Sequence, residues 1–221
     1  MAELSINRCT PRTAKRFVSK ILSKGLVPFL QSSPGLGKSS IAKQVAKEFD
    51  LKVIDARLSG MAPEDMNGLP RFNDAGFAEY SPFEGMFPLE DSKLPVDANG
   101  NEMEGWLILL DEFNSATKLV LAASYKLILD REVGQKKLHP KVAIMAAGNL
   151  ATDRAIVNPI GSALRSRVVQ LVMEVDSNDW LYDVAIPERY DSRVQAFLSA
   201  YPRKLMDFDP KSQDETYCCP R

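Results

Sequence analysis

Two short stretches of the 221-residue chain hold the residue types that phosphate chemistry needs. The first, Ser32-Ser33-Pro34-Gly35-Leu36-Gly37-Lys38-Ser39, fits the phosphate-loop pattern at every position but the first, where Ser32 stands in place of glycine. Gly35 and Gly37 allow successive backbone N–H groups to turn inward. The helix that opens here, with Ser40 in its first turn, aims its positive end at the phosphates. The expected nucleotide contacts are Ser33, Pro34, Gly35, Leu36, Gly37, Lys38, Ser39 and Ser40, with Lys38 reaching the β and γ oxygens and the Ser39 hydroxyl binding Mg2+. Ser32 carries a Cβ and is less free in backbone angle than glycine, which could loosen the loop.

The second stretch, Leu107-Ile108-Leu109-Leu110-Asp111-Glu112, is an apolar run ending in two acids, at the place where open α/β sheets put their ligands. Asp111 is expected to hold Mg2+ through its water shell and Glu112 to orient or deprotonate an attacking water. That pairing favours hydrolysis over transfer to a small acceptor. A later run, Met145-Ala146-Ala147-Gly148-Asn149, ends in an amide, a neutral donor for a γ-phosphate or the attacking water. Ala163-Leu164-Arg165-Ser166-Arg167 sets two arginines just before another apolar run.

These residues need a scaffold, and the hydrophobic pattern supplies one. Thr10 suits a helix cap, Pro11 its first position and Gly25 its end, while Ala14, Phe17, Val18, Ile21 and Leu22 recur at helical spacing. Leu26 to Gln31 reads as a buried strand with Pro28 tolerable near its start, and a helix from about Gly37 to Phe49 buries Ile41, Val45 and Phe49. Further strands are expected at Val53 to Ala56, Trp106 to Leu110, Val142 to Ala147 and Val168 to Met173. A long helix over Ser115 to Asp130 carries Leu119, Ala122, Ala123 and Leu127. Strands this apolar suit a parallel sheet covered by helices on both faces, so the class is α/β. From Ser59 to Gly105 the pattern breaks into five prolines and six glycines, with hairpin tips expected at Asn73 to Gly76 and Asn99 to Gly100. An insertion of this length tends to be a functional surface. Beyond Asp176 the strands stop, and short helices are expected at Asn178 to Ala185 and Ser192 to Ala200.

Composition narrows the class. Apolar residues are 45% and charged residues 26%, which excludes a disordered or collagen-like chain. No apolar stretch approaches the roughly 20 residues that span a bilayer, and the first residues lack an apolar signal-peptide centre, so the expected location is the cytoplasm. Cys9, Cys218 and Cys219 lack zinc-ligand spacing and are expected to be free thiols, while His139, the one histidine, precedes Pro140 and is assigned no chemistry. Net charge is −1, yet between Leu4 and Lys47 nine lysines and arginines occur with no acid, which implies either an anion-attracting surface or a solvated helix face.

The motifs, in this order, resemble those of the AAA+ ATPases, and specifically the MoxR-like and dynein-related branch of bacteria and phages. Ala62-Pro63-Glu64-Asp65-Met66-Asn67-Gly68-Leu69-Pro70, Asp111-Glu112-Phe113-Asn114-Ser115-Ala116 and Asp130-Arg131-Glu132-Val133-Gly134 extend the match, which runs from about Arg8 onward. The resemblance implies a P-loop NTPase parallel sheet of strand order 5-1-4-3-2 flanked by helices, a nucleotide-binding core over residues 1–175 and a small helical lid over 176–221. Asn149 would be sensor 1, and the arginine finger given to a neighbouring subunit would be Arg167, with Arg165 as the alternative. The chain stops at Pro220-Arg221, which looks like the start of the family's sensor 2, so Arg221 is a further expected nucleotide contact on a truncated lid. Either the sequence is a piece of a longer protein, or Arg221 is disordered and that sensor is absent. ATP and Mg2+ as cofactors, a hexameric ring, a protein client and a von Willebrand A-type partner follow from the same resemblance. A nucleic-acid motor or loader using the basic N-terminal helix stays open, as does a nucleotide-gated assembly protein with weak hydrolysis.

Overall fold

The computed structural model describes residues 7–153, 158, 160–208 and 217–220. A short strand, β1 (Asn7–Cys9), leads into α1 (Pro11–Leu22), where the Thr10 side chain accepts a hydrogen bond from the Thr13 amide and Pro11 takes the first turn. Next come β2 (Val27–Gln31), α2 (Lys38–Glu48) and β3 (Leu51–Arg57). The insertion opens with α3 (Pro63–Asn67) and the antiparallel hairpin of β4 (Leu69–Phe72) and β5 (Ala78–Ser81). The core resumes with β6 (Gly105–Asp111), α4 (Lys118–Leu129), a small hairpin of β7 (Glu132–Val133) and β8 (Lys136–Lys137), and β9 (Val142–Gly148). After α5 (Ser162–Arg165) and β10 (Val168–Met173) the chain is helical, with α6 (Ser177–Trp180), a π turn at Leu181–Ala185 and α7 (Ser192–Ala200).

Six parallel strands form the main sheet in the order β1-β10-β2-β9-β6-β3. Taking β2, β3, β6, β9 and β10 as strands 1 to 5, this is the expected order 5-1-4-3-2 with β1 added beside β10. Sequence patterning missed β1 because three residues carry no readable periodicity. Alternate residues of each strand face opposite sides. Leu107 and Leu109 of β6 join Ala14, Val18, Ile41 and Val45 of α1 and α2 in one core cluster, whereas Ile108 and Leu110 join Val120, Leu127 and Ile128 of α4 in the other. Every strand carrying the site is thereby held between two helical layers, an α/β architecture consistent with a P-loop NTPase.

Two expectations about α4 need correction. It begins three residues late, at Lys118, because Thr117 caps it by accepting from the Val120 amide, and Phe113–Ser115 form a separate tight turn. Its buried face is also offset: Leu119 is 70% exposed and Ala122 is exposed, while Val120, Leu121, Ser124, Leu127 and Ile128 are buried. After Lys118 the run Leu-Val-Leu-Ala-Ala is apolar on every side, so its period alone does not choose a face. Both expected turn tips exist. Asn73 Oδ1 accepts from the Ala75 and Phe77 amides at the end of the β4–β5 hairpin, and Asp97 Oδ1 accepts from the Asn99 and Asn101 amides beside the Val96–Glu102 bridge. After β10, Trp180, Ala185, Leu198 and Leu205 form a small cluster of their own. This helical region is tied to α1 through Asp179, which accepts from the Arg12 amide at 3.0 Å. No described helix is long and apolar enough to cross a membrane.

Candidate functional site

In a parallel sheet all strands end on the same edge, and the candidate residues gather there. Ser32 follows β2, Asp111 closes β6, and Asn149 follows β9, three neighbouring strands. Between β2 and α2 the chain turns through Gly35 (φ +80°) and Gly37 (φ +85°), left-handed angles at which a Cβ would be strained. Gly37 is the cap of α2, so the loop runs directly into an unpaired helix N-terminus. Ser33, Pro34 and Lys38 are half-buried in this turn, Leu36 anchors it in the core at 7% exposure, and Ser40 is exposed in the first helical turn.

Lys38 joins the parts. Its Nζ donates to the Ser32 carbonyl and Ser32 Oγ, both at 3.1 Å, to the Ser33 carbonyl at 3.3 Å, and across the sheet to Asn149 Oδ1 at 3.1 Å. Ser32, fully buried, donates its own hydroxyl to the Ser33 carbonyl at 2.9 Å. The serine in place of glycine thus helps hold the lysine rather than leaving the loop loose. Burial pushes the Lys38 ammonium down to about 8, against the opposing pull of Asp111, Asp153 and Glu112. Asp153 sits in the turn after Asn149, and its Oδ2 is buried with no hydrogen-bond partner.

Asp111 and Ser39 meet directly, the Ser39 hydroxyl donating to Asp111 Oδ2 at 3.0 Å, while Asp111 Oδ1 accepts from the Glu112 amide at 2.8 Å. Two hard oxygens suit Mg2+, which keeps waters and substrate phosphates in its shell. Among the described residues no cluster of three or more His, Cys, Asp or Glu could cage a metal ion without them. Glu112 has a left-handed backbone (φ +53°), uncommon for a residue with a side chain, and its carboxylate accepts from the Ser59 hydroxyl just beyond β3.

Three contributors escaped the sequence reading. Asn114, 1% exposed, clamps the backbone of Asn149 from both sides: its Nδ2 donates to the Asn149 carbonyl at 2.8 Å and its Oδ1 accepts the Asn149 amide at 3.1 Å. Ser59 is the second. The third is Cys219, whose Sγ would lie 2.6 Å from a Cβ built on Gly35, so the segment Tyr217–Pro220 packs against the phosphate loop. That segment is fixed by the Asp207 amide donating to the Cys218 carbonyl at 3.0 Å and by Trp180 Nε1 donating to the Pro220 carbonyl at 2.9 Å. Arg221 lies outside the described residues.

Arg165 and Arg167 are not brought to this site. Both are exposed, at the end of α5 and just before β10, which is the opposite edge of the sheet. Val168 pairs with Val27 and Val172 with Gln31, so Arg167 stands about six residues, or roughly 20 Å, below the start of the phosphate loop at Ser32. The three cysteines are free, and His139 packs edge-on against Trp106 with its Nδ1 accepting from the Lys141 amide, a structural role.

No protein-family model matches the chain, and no curated protein matches it. Among solved structures it is similar to a putative ATPase from Cytophaga hutchinsonii, at a TM-score of 0.49 and 18% sequence identity, over 92% of this chain and 53% of that one. The chain spans about half the length of that protein.

Proposed function

We propose that this chain is an ATP-hydrolysing protein of the AAA+ type, MoxR-like in its motifs, that works as a ring and remodels a protein client. The observation that carries the reading is the direct linkage of phosphate loop, acid pair and amide: Lys38 to Asn149 at 3.1 Å and Ser39 to Asp111 at 3.0 Å. The loop amides and Lys38 would bind the ATP phosphates, Lys38 exchanging its carbonyl partners for phosphate oxygens. Ser39 and Asp111 would hold Mg2+, which when bound neutralises charge on the transferring phosphoryl group. Glu112 orients and deprotonates the attacking water, and Asn149, held by Asn114, donates its amide toward the reacting phosphate. Arg167, remote from its own loop, is suited to act on a neighbour's, with Arg165 as the alternative. A hexameric ring is the assembly this reading expects, and a von Willebrand A-type partner is its expected companion.

Client contact is assigned to the β4–β5 hairpin. Phe72 and Phe77 are 79% and 72% exposed beside its tip, with Leu69 and Tyr80 also exposed. Apolar residues clustered so openly mark an interaction surface. The test of the whole reading is Glu112→Gln, which should bind ATP as the native chain does while turnover falls by about 100-fold or more. Undiminished turnover in that variant removes Glu112 from the chemistry, and a native chain that neither binds nor hydrolyses ATP removes the reading.

A further inference from the structure

The acid-free stretch that contains α1 has charges the nucleotide site does not use. Arg12, Arg16 and Lys20 follow one another at four-residue intervals along α1, and Lys24 continues the series just past its end. Successive members stand about 6 Å apart along the helix axis, a row about 18 Å long. Like charges at this spacing weaken a helix, so the row is not there for the stability of α1. At its start Arg12 is neutralised by Asp183 at 2.8 Å and Asp179 at 3.6 Å, and Arg8 pairs with Glu174. Among the described residues no ion pair involves Arg16, Lys20 or Lys24, nor Lys43 and Lys47, which repeat the same interval on the adjacent α2; all five are exposed.

We propose that the outer face of α1, through Arg16, Lys20 and Lys24 with support from Lys43 and Lys47, binds the phosphodiester backbone of nucleic acid. A row of cations on a rigid helix fits a polymer that presents one charge per about 3.4 Å of strand. An anionic membrane is the poorer match. A helix that lies on a bilayer buries its apolar face in the lipid, whereas Ala14 and Val18 of α1 are fully buried in the protein core. The surface is separate from the phosphate loop, so this binding does not depend on ATP and stands or falls apart from the hydrolytic reading.

Fluorescence anisotropy with a mixed-sequence DNA duplex and a single-stranded RNA of equal length tests it, without nucleotide and over a range of salt concentrations. At least one probe should bind, with affinity falling steeply as salt rises. Arg16→Gln/Lys20→Gln/Lys24→Gln should weaken that binding at least about tenfold and flatten the log–log salt slope by about 2 to 3, since each lost phosphate contact removes about 0.9. Glutamine keeps helix propensity, and an unchanged melting temperature and ATP turnover separate this loss from unfolding. Should the triple variant fail to fold, Lys43→Gln/Lys47→Gln is measured instead and must weaken binding in the same direction. Failure of both probes to bind at about 50 mM salt, or equal binding by native and variant chains, overturns the proposal. So does binding only to vesicles of phosphatidylcholine and phosphatidylserine.

Discussion

Replacing Gly148 by alanine should unseat the amide that faces Lys38, and the cost can be worked from the contacts. A Cβ at Gly148 would lie 2.3 Å from Asn114 Oδ1, 2.8 Å from its Cγ and 3.1 Å from Phe29 Cε2. The first distance is about 1 Å closer than an unstrained contact, and Asn114, 1% exposed, has little room to yield. Moving it sacrifices its two hydrogen bonds to Asn149, worth about 1 kcal/mol each, and adds about 1–3 kcal/mol of overpacking. Gly148→Ala should therefore destabilise by about 3–5 kcal/mol, and Asn114→Ala, which loses the bonds without the overlap, by about 2–3 kcal/mol. The informative measurement is the double variant in urea unfolding. With the Asn114 amide gone, Phe29 Cε2 at 3.1 Å is what remains of the three nearest contacts, so the double should cost little more than Asn114→Ala and fall short of the sum by about 3 kcal/mol. Costs that add to within about 0.5 kcal/mol would refute the clamp. Each variant, assayed where it is fully folded, should also hydrolyse ATP more slowly because Asn149 is no longer fixed.

Lys38 makes nucleotide affinity depend on pH. Phosphate favours its ammonium form, so binding should weaken about eightfold between about pH 7.5 and 9 as the free lysine loses its proton around 8. Lys38→Arg should flatten the profile, and a native affinity that calorimetry finds level across this range contradicts the assignment. The same depression makes the nucleotide-free fold more stable as pH rises from about 8 toward 10.5, because in that window the unfolded chain holds more protons; chemical unfolding at two pH values reads the sign. Arg167→Ala and Lys38→Ala, each inactive alone, should regain partial hydrolysis when mixed if the arginine serves a neighbour's loop. Recovery with Arg165→Ala in place of Arg167→Ala reassigns the finger, and no recovery in mixed rings seen by native mass spectrometry removes the shared site.

The middle of the sheet was legible because its central strands are buried on both faces. Trp106 to Leu110 and Val142 to Ala147 read as unbroken apolar runs for the physical reason that helices cover both sides. Where burial was one-sided the pattern was weaker, and α4, whose Leu119 to Ala123 run is apolar all round, was found as a helix but without its buried face. The phosphate loop and acid pair were legible because each is local: the geometry at Gly35, Gly37 and Lys38 is made within eight residues of chain. The supports were not. Asn114 reaches Asn149 across 35 residues, Ser59 reaches Glu112 across 53, and Cys219 meets Gly35 from the far end of the chain. No local spacing announces such pairs. One signal did exist, since Gly148 immediately before Asn149 is a site for close approach, and the polar residue nearest in sequence after the acid pair is Asn114.

The topology also bears on the arginines. A parallel sheet collects the residues that follow its strands on one edge, as it does Ser32, Glu112 and Asn149, and sends those that precede a strand to the other. Arg165 and Arg167 precede β10, so no rotamer change brings either to its own phosphate loop, which starts roughly 20 Å up the strand from Arg167. An arginine in that position can serve a phosphate site only on another copy of the chain. The strand register therefore keeps these arginines away from the phosphate loop of their own chain, and the mixing experiment asks whether a second copy receives either of them.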